Sequence, residues 1–244
     1  MNNEYFIDLP EIPIDRGEDL HGLEYLDDPD LTIFIAGNQF MVMEELLTEF
    51  QRQFPEIKKI FYETLPPRLE LRQILTGGAR FGDKIISVIP DVYGSVSKSA
   101  MEELASKGFI GPDAYSVYLH NRIVLLVQKG NPKRIKTVED LARDDVRISQ
   151  PSPEYEDIAH YITAMYRDAG GKKLEHRIME EKRAEGTTIY TVVHHRETPL
   201  RLKTGNCDVG PVWATEAVEA LKNGLPVEVV EPGEGLDQRE HVNY

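Results

Sequence analysis

From Leu31 onward, short apolar, β-rich runs alternate with amphipathic stretches of helical period, and this alternation most limits what the chain can fold into. Leu31-Thr32-Ile33-Phe34-Ile35-Ala36 is almost continuously apolar, as in a strand buried on both faces. Gly37-Asn38 breaks it, and Phe40, Met43, Leu46, Leu47, Phe50 and Phe54 then recur at helical spacing up to Pro55. Ile60–Thr64 predicts a second strand, Pro66-Pro67 a turn, and Leu71, Ile74 and Leu75 a short helix stopped by Gly77-Gly78. Ile85–Ile89 predicts a third strand, followed by a helix carrying Met101 and Leu104. Strands alternating with helices in this way build a mainly parallel sheet with helices on its faces.

The theme then restarts. Arg122-Ile123-Val124-Leu125-Leu126-Val127 is the strongest strand candidate in the chain, closed by the turn Lys129-Gly130-Asn131-Pro132. Thr137-Val138-Glu139-Asp140 resembles a capping box opening a helix. Further strands are expected at 146–149, 188–193, 208–213 and 227–230. Between them lie a helical stripe (Tyr155, Ile158, Ala159, Ile162, Met165), a charged helix through Leu174 and Ile178, and a helix near Pro199–Lys203. Two consecutive α/β units predict an α/β protein of two lobes, each a mainly parallel sheet flanked by helices. Residues 1–30 are expected to form an acidic N-terminal arm.

The arm is set apart by charge. Residues 1–30 hold ten acids against Arg16 alone, with prolines at 10, 13 and 29 and no period, so an extended surface segment outside the core is expected. The whole chain carries a net charge of −14 and no Lys/Arg cluster, which excludes the basic face that nucleic-acid binding requires. No apolar run approaches the roughly 20 residues of a membrane span, so no membrane insertion is expected. The N-terminus shows no basic stretch followed by an apolar one. Two localisations therefore stay open: periplasmic or extracytoplasmic after removal of a signal peptide, otherwise cytoplasmic. Cys207, the one cysteine, reads as a small buried residue near a strand start.

The ordered series Leu31–Asn38, Arg122–Pro132 (RIVLLVQKGNP), Thr137–Ala142 (TVEDLA) and Thr204–Glu216 (TGNCDVGPVWATE) resembles the molybdate-type substrate-binding proteins of ABC importers, which have the type II periplasmic-binding-protein-like fold. The resemblance spans roughly residues 31–232 and implies a ligand cleft between the two lobes, with lobe one over 31–115 and 214–244 and lobe two over 116–213. It implies capture of a small anion, either an oxyanion such as molybdate or tungstate or an organic carboxylate, for delivery to an ABC importer permease. It also departs from the family pattern. The first turn is Gly37-Asn38-Gln39-Phe40 rather than Ala/Ser-rich, and the second is Thr64-Leu65-Pro66-Pro67-Arg68 rather than Gly/Ser-rich. Trp213 stands where the family has tyrosine, and the sequence stops at Tyr244, where relatives continue into a strand and a helix.

In doubly wound sheets ligands sit beyond the carboxyl ends of strands, near helix N-termini with unpaired N–H groups. Asn38 and Gln39 occupy the first such handover and could donate to an anion; Asn38 equally fits a helix cap. Thr64 and Arg68 flank the next turn, where Arg68 suits a bidentate clamp or a solvated surface position. Asp91 and Tyr93 are expected to follow the third strand and face the cleft. Ser152 and Tyr155 are expected to open a helix of lobe two. His194, His195, Arg196 and Thr198 follow a strand and precede a helix, and Trp213 ends another strand. Adjacent histidines point in different directions, and Met43 fits the core stripe, so neither metal nor cofactor is expected. No nucleotide, serine-hydrolase or zinc-protease signature occurs. Two other readings of the same fold stay open: a cytoplasmic ligand sensor, and an enzyme using His194-His195-Arg196.

Overall fold

A computed structural model describes residues 8–154, 156–191 and 197–244. The chain divides into two units, one running to Val117 and including Tyr244, the other Tyr118–Asn243.

The first unit is built on β1 (Leu20–His21), β2 (Leu31–Ile35), α1 (Phe40–Gln53), β3 (Ile60–Glu63), α2 (Pro67–Thr76), β4 (Ala79–Phe81), β5 (Lys84–Ile86), β6 (Val92–Gly94) and α3 (Lys98–Ser106). Its main sheet has the order β1-β3-β2-β6, with β3, β2 and β6 parallel and β1 antiparallel to β3. Alternation along the strands gives the sheet two apolar faces. Phe34 and Phe61 join Leu65, Ile74, Ala79, Ile86 and Leu104 in one cluster, while Ile33, Ile35 and Ile60 pack with Met43 of α1 in another.

Two expectations for this unit are corrected. The stretch 85–89 is not the third parallel strand. Lys84–Ile86 folds back on Ala79–Phe81 as an antiparallel hairpin, its turn made by Gly82 at φ +56°, and the strand that joins the sheet is Val92–Gly94. Nor is the acidic N-terminal stretch an arm outside the core. Ile12 is completely buried, its backbone N–H donates to the Arg80 carbonyl at 2.8 Å, and Arg80 returns a bond to the Pro10 carbonyl at 2.9 Å. Leu20 joins the same apolar cluster as Phe34, and β1 occupies the edge of the sheet.

The second unit comprises β7 (Ile123–Gln128), β8 (Ile148–Gln150), α4 (Ile158–His176), the short α5 (Lys182–Ala184), β9 (Thr188–Tyr190), α6 (Glu197–Lys203), β10 (Val209–Trp213), α7 (Ala214–Lys222) and β11 (Val227–Val230). The sheet order is β11-β7-β10-β8-β9, and β7 runs against its two neighbours while β10, β8 and β9 are parallel. Thr137 does start a helical turn, with Asp140 accepting from its N–H at 3.1 Å, but this is a single 3-10 stretch, Val138–Ala142. The expected stripe and charged helix are two helical stretches that meet at a break: the backbone of α4 leaves helical geometry at Gly170-Gly171, where Gly171 has φ +68°, and the charged stretch continues through a π-helical turn into α5.

The motif order predicts a return to the first lobe at residue 214. Instead β11 lies beside β7 with four residues in register, and Val227 shares a buried cluster with Val124, Leu126, Val212, Ala217 and Ala220. Residues 214–243 therefore group with the second unit, and Tyr244 alone groups with the first. Cys207 is buried in that cluster, where burial pushes its thiol up to about 12.

Candidate functional site

The carboxyl end of the first unit's parallel strands carries three strand-to-helix turns. After β2 come Ala36–Gln39, after β3 Thr64–Pro66, and after β6 Ser95–Ser97. Backbone bonds tie the three together: Ala36 N donates to the Gly94 carbonyl at 2.9 Å, and Gly37 N to the Leu65 carbonyl at 3.2 Å. A Cβ on Gly37 would lie 2.7 Å from the Thr64 carbonyl oxygen, so glycine is what lets the first two turns approach this closely. Asn38 and Gln39 are both buried, and neither caps a helix with its side chain. The Asn38 Nδ2 amide donates to the Tyr244 hydroxyl, while Asn38 Oδ1 is buried with no hydrogen-bond partner among the described residues.

Beneath these turns lies a buried acidic layer. Glu63, Glu70 and Gln73 are wholly inaccessible and Asp19 nearly so. Glu70 accepts from Leu65 N at 3.1 Å and also from the Ile35 backbone, which links it to the strand and turn on either side. Gln73 Nε2 donates to Glu63 Oε2 at 3.3 Å. Burial raises the Glu63 carboxyl to about 8 against the Gln73 bond, and burial followed by the charge of Glu63 lifts Glu70 well above the ordinary carboxylate range. The raised Glu63 carboxyl keeps its proton in the folded protein near neutrality, and Glu70 shifts in the same direction.

The sequence-predicted residues fare differently. Asn38, Gln39 and Thr64 do come together at the strand ends. The Thr64 hydroxyl is spent internally, donating to Asp19 Oδ1 at 3.3 Å. Arg68 is the second residue of α2 and is exposed. Asp91 and Tyr93 do not follow the third strand: Asp91 immediately precedes it and Tyr93 is inside it. The Asp91 carboxylate accepts from Thr32 N at 2.8 Å and the Tyr93 hydroxyl donates to the Pro67 carbonyl at 3.1 Å, so both hold β2, β6 and α2 in place. Sequence reasoning missed Ser95 and Ser97 because it put the third strand too early. Their signal was present in the hydroxyl-rich run Ser95-Val96-Ser97-Lys98-Ser99 ahead of a helical stripe. Ser97 caps α3, its hydroxyl accepting from Ala100 N at 3.3 Å.

In the second unit, Ser152 follows β8 but does not open a helix, since α4 begins at Ile158. Its N–H is directed to Glu156 Oε1 at 3.1 Å and Thr191 Oγ1 at 3.2 Å, and its hydroxyl accepts from Glu154 N at 3.3 Å. Thr198 near the start of α6 is fully buried and shares a 2.9 Å hydroxyl–hydroxyl bond with Ser149 of β8. Gly210 on β10 makes room for this pair, because a Cβ there would meet Thr198 Cγ2 at 2.4 Å and the Ser149 carbonyl oxygen at 2.7 Å. Arg201, one turn further along α6, donates to the carbonyls of Ile189 and Tyr190 at 3.1 Å each and to Glu197 at 2.6 Å. Trp213 ends β10, buried against Tyr161 with ring centroids 5.7 Å apart. Tyr155, His194, His195 and Arg196 lie outside the described residues.

Strand-to-helix turns fastened to one another, with glycine where they approach and buried amides at their tips, define a class: α/β proteins that hold small solutes at strand ends. The chain belongs to the bacterial extracellular solute-binding protein family, whose model matches residues 31–244. Solved structures agree with this fold. The periplasmic molybdate-binding protein of Azotobacter vinelandii superposes with a TM-score of 0.63 at 17% identity, covering 86% of this chain and 81% of that one. The sulfate-binding protein SubI of Mycobacterium tuberculosis gives 0.62 at 18% identity, covering 83% and 70%. Iron-bound HitA of Pseudomonas aeruginosa gives 0.61 at 14% identity, covering 86% and 71%. No curated protein sequence matches the chain. Among the described residues no helix is long and apolar enough to cross a membrane.

Proposed function

We propose that this chain is the extracytoplasmic solute-capturing component of an ABC importer and that its solute is a small anion, an oxyanion or an organic carboxylate. The observation that carries the reading is the tied set of turns at the ends of β2, β3 and β6, with two buried amide side chains, Asn38 and Gln39, at the first. An anion leaving water needs several preformed donors, and turns entering helices supply backbone N–H groups to which side-chain amides and hydroxyls add. The net charge of −14 does not steer an anion from a distance, so selectivity would rest on these local donors. Two of the similar proteins are described as molybdate- and sulfate-binding, which supports the oxyanion arm. Arg68, and in the second unit Tyr155, His195 and Arg196, remain the side-chain candidates for directed contacts.

A thermal-shift screen against molybdate, tungstate, sulfate, phosphate, malate and ferric citrate tests the reading. A ligand at 100 times its dissociation constant adds about 2.7 kcal/mol to stability, which for a chain of this size is a shift of roughly 5–10 °C. Arg68→Ala and Arg196→Ala should each weaken the best hit about ten- to a hundredfold if they contact it. A response to iron alone, abolished by chelator and by His194→Ala or His195→Ala, would overturn the anion reading in favour of a metal.

A further inference from the structure

The Asn38 side chain carries an unresolved demand. Its Nδ2 end meets the Tyr244 hydroxyl, while its Oδ1 end is buried and has no donor among the described residues. A buried amide oxygen left unpaired is costly, and native proteins rarely keep one without a reason. The oxygen and nitrogen of a carboxamide have nearly the same outline, and a tyrosine hydroxyl can either accept or donate. Turning the amide by half a rotation keeps the same outline and changes the unmet demand from that of an acceptor to that of a donor. Oδ1 then accepts from the Tyr244 O–H, and the NH2 group faces the position where the orphaned oxygen stood.

That exchange has a chemical meaning. An NH2 group buried at the end of a parallel strand is a donor waiting for an acceptor, and it suits an anion. The unexchanged amide would present an oxygen, which suits a cation. Which end of the amide meets the phenol therefore sets the sign of the solute charge this turn can accept. We propose that Tyr244 is a positioning residue for solute capture: its O–H donates to Asn38 Oδ1 and thereby presents the Asn38 NH2 group to an anionic ligand at the β2 turn. The inference rests on the anion reading above and deepens it. It adds a residue more than 200 positions away in sequence that belongs to the same unit as Asn38. Gly37 holds the backbone of this turn against Thr64 and Leu65, so the amide is the part of the turn left to be oriented by a side chain.

Tyr244→Phe, Asn38→Asp and the unmodified protein are titrated calorimetrically with molybdate, sulfate, phosphate and malate, and the Asn38 side-chain amide is followed by nitrogen-15 NMR. Tyr244→Phe should bind the anion taken by the unmodified protein about tenfold more weakly, the worth of one hydrogen bond to a neutral group, with its melting temperature within a few degrees. Asn38→Asp, which places oxygen on both sides of the carboxyl carbon, should abolish anion binding. The Asn38 NH2 resonances should shift on adding the anion and should already differ in Tyr244→Phe. Unchanged affinity in Tyr244→Phe, or NH2 resonances indifferent to the anion, overturns the assignment while leaving the anion reading standing. If the unmodified protein binds none of the four anions, the anion reading falls and the assignment with it. If Tyr244→Phe does not fold, retention of anion binding by Asn38→Asp would be the overturning result.

Discussion

Replacing Glu63 with glutamine should change how stability depends on pH, and the size of the change follows from where Glu63 sits. The side chain is wholly buried at the end of β3, with Gln73 as the donor to Oε2 and no partner for Oε1 among the described residues. Burial raises the carboxyl from an ordinary value of 4.5 to about 8. The folded protein thus keeps the proton over a range in which the unfolded chain has released it. The stability tied to Glu63 is fully present below pH 4.5 and is lost as the pH rises through 8. Between pH 4.5 and 7 the loss is about 1.4 kcal/mol per pH unit, or roughly 3 kcal/mol in all. Glutamine is neutral throughout and escapes this loss. Its amide brings a constant cost, since an added NH2 group must find an acceptor in the same place, but a constant cost cancels when two pH values are compared. Urea unfolding at pH 4.5, 6, 7 and 8.5 should show the variant gaining on the unmodified protein by about 3 kcal/mol between the first and third. Glu70 lies in both proteins, but the part of its upward shift that comes from the Glu63 charge is missing from the variant, which widens the difference in the same direction rather than reversing it. A difference that stays flat with pH, or that shrinks as pH rises, would refute a protonated Glu63.

Gly37→Ala forces a methyl group to within 2.7 Å of the Thr64 carbonyl oxygen; it should cost about 1–3 kcal/mol by thermal or urea unfolding and, on the reading proposed above, weaken solute binding together with stability. Ile12→Ala removes a completely buried side chain from the N-terminal stretch and should cost about 2–5 kcal/mol, whereas an arm outside the core would give almost no change. Tyr166→Phe deletes a fully buried 2.7 Å hydrogen bond to Gln150 Oε1 and should destabilise by about 1–3 kcal/mol in the same assay. Cys207 should not react with a thiol reagent at pH 8 until the protein unfolds, because its thiol is buried and raised to about 12.

Most strands were legible because both faces of them are covered. Leu31–Ile35, Ile123–Val127 and Val209–Trp213 are nearly continuous apolar runs, and the sheet positions they take follow from that pattern. The stretch 85–89 misled for the same reason. Its isoleucines imitate a central strand, yet Ile85 and Ile89 are exposed and only Ile86 is fully buried. The strand used instead, Val92–Gly94, is three residues long and ends in glycine, too short for alternation to register. What identifies it is pairing, since Ile33, Phe34 and Ile35 align with Val92, Tyr93 and Gly94.

The candidate site was legible where it is local and illegible where it is not. Asn38, Gln39 and Thr64 could be found because strand-to-helix handovers are written in consecutive residues. The partners that define their chemistry come from elsewhere: Asp19 reaches Thr64 across 45 positions and Tyr244 reaches Asn38 across 206. Residues 1–30 look like a solvated arm because they carry ten acids and one arginine. In the folded unit that arginine, Arg16, pairs with Asp19 at 3.3 Å, and Asp19 in turn is enclosed beside Thr64. Composition cannot distinguish an acid that repels its surroundings from one that has been given a cation and a hydroxyl. The distinction depends on burial, and this stretch is anchored by Ile12 and Leu20, eight positions apart with no period to announce them, with Leu23 and Leu26 packed against the same cluster. An acidic segment with a few well-spaced apolar anchors can therefore close a sheet edge and supply a buried partner to a strand-to-helix turn, so low hydrophobicity alone does not place a segment outside the core.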